Sequence, residues 1–257
     1  MVRGLFTAWN GLETEQKRLD VIANNMANSA TVGFKAENVT NQAFKDVMTI
    51  KVKDISNGFI DQEIGTMSRG VKIGEVYSDY SQGSLRETGN DFDIALSGKG
   101  FFAISVTDAK GNTSTKYTRD GLFTMDRNGN VVDCNGNRLQ TESGTLQVPT
   151  DASRIAIDSS GNVFADDVYV DTIKVVDFED YNYLEKFADN MYGTVDGAKE
   201  IKSNASVIQG YTEQSNVNVI GEMVEMINIT RAYEANQKVM QTIDSSLDQV
   251  VNTVGKL

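Results

Sequence analysis

Apolar residues at the start of the chain recur at alternating steps of three and four. The series runs Val2, Leu5, Trp9 and Leu12, then passes through the polar Gln16 to Leu19, Ala23 and Met26. It lines one stripe of an α-helix and matches a heptad seam, not the alternation of a strand. The helix is expected to end between Asn28 and Gly33, where Asn, Ser, Thr and Gly cluster. The far end repeats the pattern over a longer span: Val219, Glu222, Met226, Ile229, Tyr233, Asn236, Met240, Ile243, Leu247, Val250, Val254 and Leu257. No proline interrupts this run, and a helix over 219–257 would be about 58 Å long. Ser215 or Asn216 is expected to cap its start. Ile220, Val224, Ile227 and Val251 lie off the seam and widen the apolar surface. Two helices paired alone bury only one side of each, so these stripes predict a core shared among several subunits. Leu5, Trp9, Leu12 and Leu19 are expected to pack against Met240, Ile243, Leu247 and Val250, within or between subunits.

Between about 76 and 210 the helical period disappears. Short runs rich in Val, Ile, Phe, Tyr and Thr alternate with turn residues. They include Phe101 to Val106, Lys116 to Thr118, Leu122 to Met125, Ile155 to Ile157, Asn162 to Ala165, Val168 to Val170 and Ile173 to Phe178. Asn128-Gly129 and Asn135-Gly136 predict type I′ hairpin turns. Residues 36–75 carry repeated glycines and no clear period, which predicts an extended connector with little core. The fold class expected is α+β: long N- and C-terminal helices pairing as an antiparallel coiled coil, with an inserted antiparallel β-rich central domain. The boundaries expected are 1–33 for the first helix (pairing with 216–257), 34–75 for the connector, 76–210 for the β domain and 211–257 for the last helix.

Composition narrows the chemistry. The 257 residues hold no His, one Cys (Cys134) and one Pro (Pro149). That excludes His-dependent catalysis, His-ligated zinc and an internal disulfide. Lys and Arg number 24 against 36 Asp and Glu, a formal charge of −12, so no nucleic-acid partner is expected. No run reaches the roughly 18 apolar residues of a membrane span, and no direct membrane insertion is expected. Charged and polar residues break up the first twenty positions, so no cleavable secretory signal is expected. Asp126, Asn128, Asn130 and Asp133 are spaced somewhat like calcium ligands. Val131 and Asn137 stand where an EF-hand loop needs Gly and Glu, however, and hairpin turns are the better reading. Asp91 and Asp93 form a carboxylate pair of the kind used in acid–base catalysis, although acids at a strand edge are far commoner. Gly98-Lys99-Gly100 lacks the spacing of a phosphate loop and reads as a turn before a strand. No catalytic, cofactor-binding or metal site is therefore expected, and no enzymatic activity.

Four strings, in order, resemble the signatures of bacterial flagellar rod and hook proteins. They are IANNMANSATVGFK at 22–35, SQGSLRETGNDFDIALSGKGFFAI at 81–104, YTRDGLFTMDRNGNVVDCNGNRL at 117–139, and residues 215–257 with Arg231-Ala232-Tyr233-Glu234 at their core. The positions carrying the likeness are Asn24, Asn25, Asn28, Gly33, Phe34, Gly83, Ser84, Leu85, Gly100, Phe101, Phe102, Arg231, Ala232 and Tyr233. Ala30 and Val32 depart from residues usually polar or threonine-like there. The resemblance implies a structural subunit of the basal-body rod, polymerising into a hollow shaft that carries torque from motor to hook. A short hook protein is the near alternative, and a carboxylate enzyme on the β domain is the alternative from another class. It further implies as partners other copies of the chain, other rod and hook subunits, and the flagellar type III export apparatus. Export would then cross the cytoplasmic membrane without a cleaved signal, and the packing residues would be Val2, Leu5, Trp9, Leu12, Leu19, Met26, Val219, Met226, Ile229, Tyr233, Met240, Ile243, Leu247, Val250 and Val254.

Overall fold

In the computed structural model, residues 2–51, 62–107, 111–152, 154–188 and 190–254 are described. The chain is α+β, with helices at both ends and a β-rich middle. It divides into two compact units: Met1–Ala27, Glu37–Asp79 and Asn218–Leu257 form one, Asn28–Ala36 and Tyr80–Val217 the other.

The first unit holds helix α1 (Val2–Ala27) and helix α2 (Val219–Gln249), which continues into a π-helical turn at Val250–Val254. The cap of α2 is Asn218, whose side chain accepts a hydrogen bond from the Gly221 amide at 3.2 Å. The two residues expected to cap it are engaged elsewhere. The Ser215 hydroxyl accepts from the Val217 amide, and the Asn216 side-chain oxygen Oδ1 accepts from the Ala36 amide. The stretch expected to be a plain connector instead forms two antiparallel ladders: Glu37–Ala43 pairs with Val71–Ser78, and Val47–Lys51 with Gln62–Met67. The sequence hides these strands because most of their described side chains are exposed. With no buried face, no alternation is imposed, and backbone hydrogen bonds carry the pairing.

In the second unit a nine-stranded sheet is centred on strand Phe101–Thr107. Its neighbours are Thr113–Thr118 on one side, and Arg138–Leu139 and Val175–Phe178 on the other. The first four residues of this strand are all buried. Alternation sends Phe102 and Ile104 into one apolar cluster, with Phe123, Leu139 and Ile173, and sends Phe101 and Ala103 into another, with Tyr117, Phe178 and Tyr192. A strand covered on both faces reads as a continuous apolar run, which is why Phe-Phe-Ala-Ile stands out. The same clusters seat Phe101 edge-on to Tyr80 and Tyr192, with ring centroids 5.7 and 5.6 Å away.

The hairpin turns differ from expectation. A type I′ turn needs positive φ at both central residues, yet at Asn128-Gly129 and Asn135-Gly136 only the glycines have it. Both belong to a longer Asp-x-x-Gly-Asn turn that recurs at 126–130, 133–137 and 158–162. In each, the Asp amide donates to the Asn carbonyl and the Gly amide donates to the Asp carbonyl. The two consecutive positive φ angles occur at Asp166 (48°) and Asp167 (66°), joining Asn162–Ala165 to Val168–Thr172. The carboxylates spaced like calcium ligands serve these turns. Asp133 accepts from the Asn135 and Asn137 amides and the Asn137 side chain, and Asp126 accepts from the Arg127 amide and the Asn128 side chain. No group of three or more acidic or Cys residues that could hold a metal occurs among the described residues.

Two measurements on the monomer test this account. A Cβ at Gly129 would lie 2.2 Å from the Val148 carbonyl oxygen, whereas one at Gly136 meets nothing within 4 Å. Gly136→Ala should therefore cost only the backbone strain, about 1 kcal/mol, and Gly129→Ala roughly 3 kcal/mol or more, as read by urea unfolding. Burial pushes the Asp120 carboxyl up to about 6, with Asp133 and Asp93 adding to the rise, against hydrogen bonds from the Leu122 amide and the Asn190 side chain. A carboxyl raised in the folded state favours folding when protonated. That contribution is complete below its ordinary value of 3.8 and is lost as pH rises through 6. Asp120→Asn should thus be the more stable protein at pH 7.5, by about 1–2 kcal/mol, with the advantage vanishing by pH 4 in thermal melts.

Candidate functional site

The two terminal helices meet along a defined line. A Cβ at Gly4 would lie 3.3 Å from Ile243 Cδ1, and one at Gly11 would lie 2.9 Å from Asn236 Nδ2. Arg18 pairs with Glu225 and also with Glu15 at 3.1 Å, while the Asn25 amide group reaches Glu222 at 3.4 Å. Positions 4, 11, 18 and 25 are seven apart, and Ala8 and Ile22, buried between them, complete the stripe. On α2 the matching face carries Glu222, the buried Ile229, Asn236 and Ile243. On α1 the contacting stripe therefore lies one residue earlier than the bulky series Leu5, Trp9, Leu12, Leu19. Bulk drew the sequence reading to that series, but close helix approach uses the small residues Gly4, Ala8 and Gly11.

The bulky residues are left on the flanks. Trp9 is 52% exposed and Phe6 60%. Leu5, Leu12, Leu19 and Met26 are half-buried, as are Val219, Met226, Tyr233, Met240, Ile243 and Leu247. Val250 is exposed, as are Ile220, Met223, Val224 and Ile227 on α2. The side chains of Val2 and Val254 lie outside the described residues. Burial raises the Glu222 carboxyl above its ordinary range, opposed by the Asn25 hydrogen bond and reinforced by Glu225. Small and polar side chains thus sit inside the contact line together with Ile22, Ile229 and Ile243, while Phe6, Trp9, Ile220, Met223, Val224 and Ile227 face outward.

The signature residues fall into two groups. Asn25, buried on α1, ties down the first strand through the Glu37 backbone: its side chain accepts from the Glu37 amide (2.9 Å) and donates to the Glu37 carbonyl (2.8 Å). Asn24 and Arg231 are exposed, and Ala232 and Tyr233 are half-buried. The others gather in the β unit. Asn28 opens a turn closed by Thr31. Phe34 is buried with Lys186 over its ring. Gly33 has φ of 70°, and a Cβ there would lie 2.5 Å from the Arg119 and Asp120 backbone. A Cβ at Gly83 would lie 1.9 Å from the Gln214 carbonyl oxygen, and Ser84 accepts from the Gln214 amide through its own carbonyl. Leu85 pairs with Glu213, and Gly100, Phe101 and Phe102 open the central strand.

Sequence reasoning missed the residues that link these signatures. The Glu213 carboxylate is buried between Lys35 Nζ (2.6 Å) and Arg119 Nη1 (3.1 Å), and it also accepts from the Gly83 amide at 2.9 Å. The Lys35 ammonium and Arg119 guanidinium each reach a further carbonyl, of Ser81 and Gly98 respectively, both at 2.7 Å. The signal available in the sequence was that Lys35 and Arg119 fall inside two of the signature strings, with Glu213 just ahead of the last. By contrast the carboxylate pair of the enzyme alternative is not assembled. Asp91 is exposed, while Asp93 is buried and accepts from the Asn90 side chain.

Comparison with known proteins identifies the family. Residues 5–35 match the family described as flagella basal body rod protein, residues 95–165 the flagellar hook protein FlgE/F/G D1 domain, and residues 208–253 the flagellar basal body rod FlgEFG protein C-terminal region. The chain is 33% identical to the flagellar basal-body rod protein FlgG of Bacillus subtilis, over 98% of this chain and 99% of that one. It is 32% identical to FlgG of Agrobacterium fabrum over 95% and 96%, and 29% identical to the rod protein FlgF of Mesorhizobium japonicum over 99% of both. With relatives over 30% identical along nearly its whole length, the chain belongs to the flagellar basal-body rod proteins, a family of structural subunits and not of enzymes.

Proposed function

We propose that this rod subunit polymerises through its terminal helices into a hollow shaft that carries torque from motor to hook. The observation that carries the reading is the outward-facing apolar surface of the helix pair: Phe6 and Trp9 on α1, and Ile220, Met223, Val224 and Ile227 on α2. Large apolar side chains left exposed on both helices mark surfaces that another protein covers. The line of contact between α1 and α2 supports an antiparallel coiled coil, in which Gly4 faces Ile243 and Asn25 faces Glu222. Neighbouring copies would then cover the flanks, giving a heterologous contact that repeats without closing. The partners in this reading are other copies of the chain and other rod and hook subunits. The chain reaches them through the flagellar export apparatus, crossing the cytoplasmic membrane without a cleaved signal. No helix among the described residues is long and apolar enough to cross a membrane. For domains, the reading keeps a helical part built from both ends and a β part from the middle. Relatives named as rod proteins favour rod over hook.

Hydrogen exchange on the purified monomer and on hook–basal bodies tests this. Residues 2–27 and 219–254 should exchange faster in the monomer and become protected in the assembly, and equal protection in both would overturn the reading. Trp9→Ser should leave the monomer melt within about 0.5 kcal/mol of the parent, because the side chain is half exposed. It should nevertheless abolish incorporation into basal bodies, scored by immunoblot. A polar substitution at Leu247 should likewise stop assembly while the near-ultraviolet signal of the β unit persists.

A further inference from the structure

The chain passes between its two units four times, at 27/28, 36/37, 79/80 and 217/218. Within the β unit, the segments next to all four passages converge on one buried carboxylate. Lys35 lies just before the second passage, Ser81 and Gly83 just after the third, and Glu213 and Asn216 just before the fourth. In segment 28–36, which follows the first, the Gly33 amide donates to the Glu213 carbonyl at 2.8 Å, and the Ala36 amide to Asn216 Oδ1 at 2.8 Å. Asn216 also donates to the Ser81 hydroxyl at 3.0 Å. Arg119, from the sheet, supplies the second cation to Glu213.

We propose that the Lys35–Glu213–Arg119 cluster is a clamp that holds the roots of the two terminal helices side by side before the helices themselves are buried. The inference rests on the reading that the helices complete their burial on assembly. Residues 33 and 213 are far apart in sequence, and closing so long a loop is entropically costly. A cluster that closes it inside the β unit raises the effective concentration of α1 at α2 without needing their seam. Charges suit this role. Lys35 and Arg119 are themselves buried, and either one parted from Glu213 would leave a buried cation without its counter-charge, so the roots are held together or released together, with few intermediate arrangements. Gly83 and Gly33 belong to the same device, because a side chain at either would push the root strands off the carboxylate segment or the Arg119 backbone.

Residue-resolved hydrogen exchange on the full-length monomer tests the clamp apart from assembly. In the parent protein the Gly33, Gly83 and Gln214 amides should exchange as slowly as the Ala103 amide of the central strand, whatever the helices do. In Glu213→Gln they should exchange about 100-fold faster while Ala103 keeps its protection. Fast exchange at these three amides in the parent, or no change in the variant, overturns the proposal. Should Glu213→Gln unfold the whole β unit, Asn216→Ala decides. Selective acceleration at Ala36 and Gly33 supports the clamp, and unchanged exchange there overturns it. Incorporation of the parent protein into basal bodies is scored separately, so a failed rod reading and a failed clamp give different results.

Discussion

A carboxylate removed from water must be matched by charge and hydrogen bonds, and in this protein that requirement gathers distant parts of the chain. Glu213 is 1% exposed, and its oxygens are filled by an ammonium, a guanidinium and a backbone amide. Those donors come from positions 35, 119 and 83. The surrounding apolar clusters would collapse around many arrangements of these strands. The ion cluster accepts one, because moving any strand leaves a buried charge unpaired. The two cations outnumber the anion, and the Ser81 and Gly98 carbonyls take one further donor from each. The glycines nearby follow from the same constraint. Gly33 and Gly83 stand where backbones must approach closely enough for these short contacts to form.

The helical ends follow the opposite rule. There the contact line on α1 is mostly small and polar, with Gly4, Ala8, Gly11, Arg18 and Asn25 beside a single Ile22, and Phe6, Trp9, Ile220, Met223, Val224 and Ile227 lie outside it. Burying small residues releases little free energy per turn, so a pair joined this way gains less from its own seam than one joined through leucines. What stays exposed is the larger reserve of apolar area. A subunit built so has a β part whose core is complete within one chain and helices whose apolar surface is only partly used. In a polymer that difference is useful, because the free energy of helix burial is released when subunits meet.

How much of this the sequence discloses depends on what constrains each residue. Both helices were legible because their heptad stripes persist for many turns, and the strand at Phe101–Ile104 because burial on both faces leaves an unbroken apolar run. The ladders between Glu37 and Ser78 were not legible, since exposed side chains leave the strand period unwritten. The Asn-Gly pairs marked the right turns with the wrong geometry. The Asp two residues ahead of each and the Asn after the glycine make a longer turn, in which the Asn before the glycine needs no positive φ. The buried cluster escaped because Lys35, Arg119 and Glu213 each look like surface charges when read alone. Only the fold brings them together.

The one-residue offset on α1 has its own physical logic. Along a heptad, adjacent positions differ by about 100° of rotation, so bulky Leu5, Trp9, Leu12 and Leu19 stand to one side of the line through Gly4, Ala8, Gly11 and Arg18. Were the bulky series turned inward, α1 and α2 would sit farther apart and their apolar surface would be spent within the chain. With glycines inward, the axes come close and the large side chains remain available along the flank. The placement of Trp9 is the sharpest instance. An indole exposed over half its surface on a family-signature helix contributes little to the isolated fold, yet its apolar area is among the largest any residue can offer a neighbour. If the rod polymerises as proposed, small residues that join the chain to itself and large ones that face outward separate folding from assembly on a single helix.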